Sequence, residues 1–352
     1  MSAPSARRHL WLAAALVLLV GAGWLTWMAE GRHRATARPN VQFPLFLREA
    51  ERERVERRRT LPSRPVDRPN SAPSPRDPLL AALPPTSAQG VMVVELNALR
   101  HSPVGELLVD CLRQRGGDAL GKLKREANID PLEDVDRVAI TDDGVIVSGF
   151  FGRANWTEMT KQMTASPYGG GRLYTDEAHH EAVGVWHDEL VVVADTPEQV
   201  KRALDRLDDR NAPAPPPILP ESQTYGEAYG VLPGQALKKM LGIGREDIGQ
   251  RLAELASRVE FHLDAAGDVA LVAQVRGDDA DGLADLAKSV GGALSLTRIS
   301  AKAQGDDDFA ELLDFARVVP NGHGFSIEVA VPLAVLERQL AWCRTDGGVA
   351  PR

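Results

Sequence analysis

The sequence is poor in the residue types that mark several large classes of protein. Aromatic residues make up 5% of the chain, and cysteine occurs only twice in 352 residues. Two cysteines exclude a disulfide-rich scaffold and any zinc or iron–sulfur site built from several thiolates. The low aromatic content argues against a recognition surface rich in Tyr and Trp. The G-x-S-x-G, Walker and G-x-G-x-x-G patterns are absent, so no common hydrolase or nucleotide-binding signature is present.

Charge is distributed unevenly along the chain. The first 77 residues contain 14 Arg, no Lys and 7 acidic residues, giving +7, whereas the remainder contains 27 basic and 42 acidic residues, giving −15. A folded part this acidic repels a phosphate backbone, so we expect no nucleic-acid partner. The overall 43% hydrophobic and 26% charged content is that of a folded globular chain.

An apolar segment lies near the N-terminus. Leu10–Met28 contains 19 residues without a charge, and as a helix it would be roughly 28 Å long, close to the thickness of the hydrocarbon core. Trp11 lies at one end and Trp24 and Trp27 at the other, as in an interfacial aromatic belt. We therefore predict that residues 1–29 form an N-terminal transmembrane signal-anchor, with a cleaved signal peptide as the alternative.

The flanking charges bear on the orientation of this segment. Arg32, Arg34 and Arg38 follow the span and favour a cytoplasmic C-terminal side by local charge count. Against this, Arg7 and Arg8 before an apolar run are typical of an uncleaved export signal, and long domains cross the membrane largely regardless of charge. We predict a single-pass inner-membrane protein whose bulk is periplasmic.

Residues 30–83 are predicted to connect the anchor to the folded part. Acid–arginine pairs at helical spacing in residues 49–57 predict a short, charged, solvated juxtamembrane helix. In the alternative, this helix lies on anionic lipid. Its apolar contacts would then be Phe43, Leu45, Phe46 and Leu47. Eight prolines between residues 62 and 85 predict an extended Pro-rich linker after it.

From Gly90 onward, short β-branched runs alternate with amphipathic stretches, which predicts an α+β fold with mixed or antiparallel sheets. Ser102–Pro103 and Thr196–Pro197 are typical helix starts. Asp143–Gly144 and Ala265–Gly267 each separate two strand-like runs and predict β-hairpins. A Pro-rich break at residues 210–220 divides a first half (84–209) from a second half (221–345). A hairpin followed by a helix occurs in both halves, which indicates a possible pseudo-repeat.

Several phrases of the folded part are similar to a known group of proteins. They are NIDPLEDVDRVAI, GVIVSGFF and YTDEAHHEAVGVWHDELVVVADTPEQVKRAL, together with the strand at Gly90–Leu96. In element order, residues 84–343 resemble exported or lipid-anchored α+β proteins of myxobacteria and related bacteria, a group of unknown function. The resemblance implies export and no particular activity. The chain has no cysteine after its apolar segment, so the lipid anchor of some members is not implied here.

We assign no catalytic, cofactor-binding or metal-binding residue from the sequence. His179, His180, Glu181 and His187 form the densest group of metal-ligand types, but adjacent residues of a strand point apart. Asp306–Asp308 lacks the pattern of a calcium loop. Gly169–Gly171 precedes a strand instead of a helix and is read as a turn. No pattern links Ser148 with His323 as nucleophile and base.

The two cysteines lie on the apolar faces of predicted helices. Cys111 follows the stripe of Leu107 and Leu108, and Cys343 follows Leu336 and Leu340 on the last helix. Both thiols are therefore predicted to point inward. In the periplasm they could form a Cys111–Cys343 disulfide, whereas in the cytoplasm they would remain two buried thiols.

Three functions remain open at this point. The interpretation we favour is a membrane-anchored, non-catalytic envelope protein that acts as a binding or scaffolding module with a protein partner. The alternatives are a ligand-binding module for lipid, glycan or peptide, which needs an apolar pocket, and a divergent hydrolase, which needs convergent polar residues in a cleft.

Overall fold

The computed structural model describes residues 43–61, 75–85, 90–115, 117–176, 178, 180–208, 218–234 and 246–341. Its helices are α1 (Glu49–Arg57), α2 (Pro78–Ala82), α3 (Leu96–Arg100), α4 (Pro103–Arg115), α5 (Gly117–Ala127), α6 (Trp156–Met159), α7 (Pro197–Leu207), α8 (Glu246–Leu255), α9 (Ala280–Gln304), α10 (Asp307–Asp314) and α11 (Leu333–Gln339). A short 3₁₀ turn covers Glu221–Gln223.

The strands are β1 (Val91–Val94), β2 (Val135–Thr141), β3 (Gly144–Gly149), β4 (Thr164–Tyr168), β5 (Gly171–Asp176), β6 (Glu181–Trp186), β7 (Leu190–Ala194), β8 (Ala228–Leu232), β9 (Arg258–Asp264), β10 (Val269–Arg276), β11 (Ala316–Asn321) and β12 (Gly324–Val331). The neighbouring strands within each unit of the fold pair antiparallel. The α+β prediction is thus confirmed, and the sheets are antiparallel where the sequence left mixed sheets open.

The chain divides into two compact units that are discontinuous in sequence. The first comprises Leu45–His101 and Gly116–Val231, and the second comprises Ser102–Arg115, the chain from Leu232 onward and the residues before Leu45. This division differs from the predicted halves 84–209 and 221–345. Helix α4, which the sequence placed in the first half, belongs to the second unit. Strand β8, placed in the second half, belongs to the first unit because it pairs with β1 in the register Val91↔Val231.

The first unit is built on strands in the order β8-β1-β2-β3-β7-β6-β5-β4. Helix α7 covers one face with an apolar stripe that includes Val200 and Leu204, both fully buried. Thr196 caps this helix by accepting a hydrogen bond from Gln199, and Pro197 occupies its first position. The helix ends at Leu207.

Helix α2 is part of the same core. The run Pro78–Ala82 follows Asp77 as N-cap, and its Leu79, Leu80 and Ala82 are buried with α7 and the sheet. The residues of the predicted linker at positions 75–83 therefore belong to the folded unit, because an apolar run with a cap can bury its side chains despite nearby prolines. Residues 62–74 and most of the predicted break at 210–220 lie outside the described residues.

The second unit has the strand order β11-β12-β10-β9. Helices α8 and α9 pack on one sheet face through Leu252, Leu283 and Leu286 against Val275 and Phe325. The two predicted hairpins, β2–β3 in the first unit and β9–β10 in the second, are both confirmed. The pseudo-repeat remains a prediction.

The predicted membrane span Leu10–Met28 lies outside the described residues. Within the ranges that the structure does describe, no helix is both long and apolar enough to cross a bilayer.

Candidate functional site

A buried ion pair joins the start of α2 to strand β2 in the first unit. The Asp77 carboxylate caps α2 by accepting the Leu79 N–H at 2.9 Å. The Arg137 guanidinium donates to both oxygens of the same carboxylate, at 2.6 and 2.9 Å. Asp77 is 3% exposed and Arg137 is 5% exposed. This bidentate geometry compensates the loss of hydration that both charges undergo on burial.

A second buried carboxylate gathers two partners from distant parts of the chain. Glu95 follows β1 and is 1% exposed. Arg58, directly after α1, donates to both of its oxygens at 2.8 and 2.5 Å. The Tyr229 hydroxyl on β8 donates to Oε1 at 2.7 Å. One carboxylate therefore binds the end of α1 to two strands of the sheet.

The two ion pairs influence each other electrostatically. Burial acts to lower the pKa of Arg137, but the charge and hydrogen bonds of Asp77 outweigh it, and the charge of Glu95 adds to the same effect, so this pKa is raised. Burial, followed by the negative charge of Glu95, raises the pKa of Tyr229 well above its ordinary value. Arg137 thus stays cationic, and the Tyr229 hydroxyl stays protonated as a donor. Two carboxylates face two guanidinium groups, so the charges balance.

Glu51 extends the connection to α1 itself. Its carboxylate, 2% exposed, accepts the Gly226 N–H at 2.9 Å, the Arg48 guanidinium at 2.7 Å and the Arg48 N–H at 2.7 Å. Burial acts to raise the pKa of Glu51, but the hydrogen bonds from Arg48 and Gly226 and the Arg48 charge outweigh it, so the pKa is lowered. Helix α1 is therefore docked on the first unit through its buried Glu51 and Val55, while most of its other residues are exposed.

These five residues, Arg58, Asp77, Glu95, Arg137 and Tyr229, form what we call the buried charge network. Each charge in it faces an opposite charge within hydrogen-bonding distance. A protonated phenol and paired guanidinium groups are poor proton acceptors, and both carboxylates are occupied as acceptors. The arrangement can fix residues 58 and 77 on the sheet, and it supplies orientation rather than a reactive group.

Those residues of the histidine-rich group that the structure describes do not converge on a metal site. His179 lies outside the described residues, His180 lies in the turn before β6, and the His187 ring meets the Trp186 ring edge-on with centroids 4.2 Å apart. His180 and His187 both have φ near +50°, as turn residues do. Among the residues that the structure describes, no cluster of His, Cys, Asp and Glu could hold a metal ion.

The remaining candidates have local structural roles. The Asp306 side chain caps α10 by accepting the Phe309 N–H at 3.1 Å. The Gly170 N–H of the glycine turn donates to Asp208 at 2.9 Å. Ser148 belongs to the first unit and His323 to the second.

Cys111 lies in the second unit, where helices α4 and α11 pack together. It contacts the small cluster formed by Leu107 and Leu340, with Leu108 and Leu333 at its margin. Cys343 lies outside the described residues, so the Cys111–Cys343 pairing stays a prediction.

Sequence reasoning missed the buried charge network, although one signal was present. In the β2 sequence VDRVAIT, Val135, Arg137 and Ala139 share the face that is buried. A charged residue at a core-facing strand position needs a buried partner, because an unpaired charge there is costly. Nothing local in the sequence identified that partner as Asp77.

Comparison with known proteins gives little further information. No family model matches the chain, and no curated protein matches it. Among solved structures, crystal form III of TP0453 is similar at 13% identity with a TM-score of 0.45. Crystal form I of TP0453 is similar at 11% identity with a TM-score of 0.41. Each similarity covers 76% of this chain and 98% of the other. At these values the similarity supports no inference about function.

Proposed function

We propose that the protein is a non-catalytic envelope protein, anchored in the inner membrane by residues 1–29, whose periplasmic folded part acts as a binding or scaffolding module for a protein partner. The proposal combines the apolar, Trp-flanked N-terminal segment with the character of the buried site in the first unit.

The observation that supports this proposal is the internal pairing of the buried charge network. A hydrolytic site needs groups whose protonation suits proton transfer and that can reach a substrate. Here the buried carboxylates are occupied by guanidinium groups and a phenol. Their effect is to hold residues that follow the predicted anchor on a rigid sheet, which suits a scaffold more than a catalyst.

The experiment begins with membranes isolated from host cells that express the full-length protein. We expect the protein to remain in the membrane fraction after high-salt and carbonate washes, with its N-terminus intact. In a parallel sample of intact cells, external protease should reach the folded part only after the outer membrane is permeabilised. Release into the soluble fraction with a new N-terminus beyond Gly21 would contradict the anchor.

The binding role is tested on the same material after solubilisation in detergent. Affinity isolation should recover a specific protein in near-stoichiometric amount. A matched isolation of the protein carrying Arg137→Met, which we expect to destabilise the first unit, should lose a partner that recognises that unit. Recovery of the same background proteins from both samples would contradict the scaffolding role.

A further inference from the structure

Two adjacent apolar side chains stand exposed just before α1. Leu45 is 53% exposed and Phe46 is 58% exposed. We propose that this pair is the point at which the folded part rests on the lipid bilayer, with both side chains in the interfacial layer. The inference depends on the proposed function, because it assumes the anchor, and it adds a second, specific membrane contact to it.

The pair is attached to an ordered support. The Arg48 N–H and its guanidinium both bind Glu51, and Glu51 accepts the Gly226 N–H at 2.9 Å. Val55 is 5% exposed and packs α1 inward. Leu45 and Phe46 therefore precede a helix that is fixed to the first unit, so their exposure is not that of a free linker.

The chain between the predicted span and the pair is short, so Leu45 and Phe46 are held near the lipid bilayer. Leu45 lies seventeen positions after Met28, the last residue of the predicted span. Such a chain reaches at most about 60 Å when fully extended, and its average reach as a coil is about 20–25 Å. The pair therefore stays close to the membrane surface whenever the anchor is inserted.

The charges around the pair indicate an apolar contact instead of an electrostatic one. Of the six arginines at positions 48–59, three are bound internally, by Glu51, Glu95 and Glu221 respectively. The other three are offset by three glutamates of α1, at positions 49, 53 and 56. The segment is thus nearly neutral, and anionic lipid should not be required.

The structure also narrows the set of residues that could contact lipid. Of the four apolar residues that the sequence offered, Phe43 is already covered, because the Arg317 guanidinium lies over its ring at 5.2 Å. Leu47 is half-buried. The contact is therefore assigned to Leu45 and Phe46.

The test uses the full-length protein reconstituted into phosphatidylcholine bilayers. Photoreactive benzoylphenylalanine replaces Phe46 in one sample and Phe150 in another. Phe150 is a matched control, since it belongs to the same unit and is 59% exposed. After irradiation, we expect a lipid adduct by mass spectrometry at position 46 and only background at position 150. Adding phosphatidylglycerol should leave the yield at position 46 unchanged.

Each alternative outcome has a definite meaning. No lipid adduct at position 46, equal adducts at both positions, or an adduct to protein would overturn the proposal, as would a yield that appears only with phosphatidylglycerol. A carbonate wash of the same bilayers tests the anchor separately. A protein that resists the wash but gives no adduct retains the proposed function and loses the second contact.

Discussion

At the scale of single residues, the main feature of this protein is a set of buried charges in its first unit, in which each carboxylate is hydrogen-bonded to a guanidinium group. Asp77 and Arg137 share two hydrogen bonds in a site where both side chains are buried. A buried ion pair adds little to the free energy of unfolding compared with well-packed apolar residues at the same positions. Removal of only one partner, however, leaves a buried charge without a counter-charge and is destabilising. The two members should therefore behave very differently when changed singly and together.

Arg137→Met should lower the free energy of unfolding by about 3–5 kcal/mol, because it leaves the Asp77 carboxylate buried without a counter-charge. The double variant Asp77→Asn with Arg137→Met should be less destabilised than Arg137→Met alone, since the asparagine is neutral and can still cap α2. Urea denaturation of the four proteins in the cycle measures this coupling.

The control for that cycle is an ion pair with equally short geometry at the surface. Lys161 Nζ lies 2.6 Å from Glu158 Oε1, with both side chains largely exposed. Lys161→Met should leave the urea midpoint within error, because exposed pairs contribute little. If the losses of unfolding free energy at Asp77 and Arg137 simply add, or if Lys161→Met causes an equal loss, then burial does not determine the contribution of the ion pair to stability.

Glu51 makes stability depend on acid pH. Its pKa is lowered from 4.5 in the folded protein, so its contribution is fully present above that value and is lost as pH falls through the folded pKa. The difference in unfolding free energy between wild type and Glu51→Gln should therefore shrink as pH falls below 4.5. Parallel stability curves for the two proteins between neutral pH and about pH 3 would contradict this assignment.

At the scale of elements, helix α7 packs unusually close to strand β6. A Cβ atom added to Gly184 would lie 2.5 Å from Val200 Cγ1 and 3.3 Å from a Leu204 methyl carbon. A left-handed backbone does not explain this glycine, because its φ is not in that region. The close approach of helix and strand is therefore the reason that a side chain is excluded here.

Gly184→Ala should lower the free energy of unfolding by about 1–3 kcal/mol, because the added methyl group forces α7 away from the sheet. Gly267, in the β9–β10 turn, has open space around its Cβ position, so Gly267→Ala should leave stability nearly unchanged. Thermal unfolding followed by circular dichroism compares the two. Equal melting temperatures would show that α7 can shift at little cost.

Strand β4 in the first unit and strand β11 in the second each lie at one end of their own unit's strand order and contain a proline. Pro167 lies in β4 and Pro320 in β11. Proline removes a backbone donor from an edge that could otherwise pair with another chain. Both strands are thereby protected against edge-to-edge association.

At the scale of the whole molecule, the segment around α1 is part of the first unit although prolines separate it from the rest in sequence. A protease that cleaves before aspartate should cut the Val66–Asp67 bond, which lies within the Pro-rich stretch. The fragment that contains α1 should nevertheless remain bound, held by the contacts of Glu51 and Arg58. Native mass spectrometry should show both fragments together, and denaturing conditions should separate them. Loss of the α1 fragment under native conditions would contradict the docking of this segment.

The disulfide prediction also belongs to this scale. A Cys111–Cys343 bond would close a loop of more than two hundred residues, for which chain entropy gives on the order of 5 kcal/mol. Intact mass after alkylation without reductant should show no modified thiol in protein freshly isolated from the membranes of the host, and reduction should lower the melting temperature. Two alkylated thiols would contradict both the bond and export.

The sequence by itself determined the elements whose signals are local. Thr196–Pro197 placed the start of α7, Asp143–Gly144 placed the β2–β3 hairpin, and Ser102–Pro103 placed α4. Caps, turns and hydrophobic periodicity act over a few residues, so they can be read without knowing the partners. The α+β class follows from the same signals.

Only the tertiary structure decided which distant segments meet. Arg58 finds Glu95 across 37 residues, Arg137 finds Asp77 across 60, and Glu51 finds Gly226 across 175. The chain contains many acidic residues and arginines, so residue type alone does not identify which of them pair. The packing of the strands determines which pairs form. For the same reason β8 joined the first unit and α4 the second, because strand pairing and apolar burial depend on the whole fold and leave no local trace in sequence.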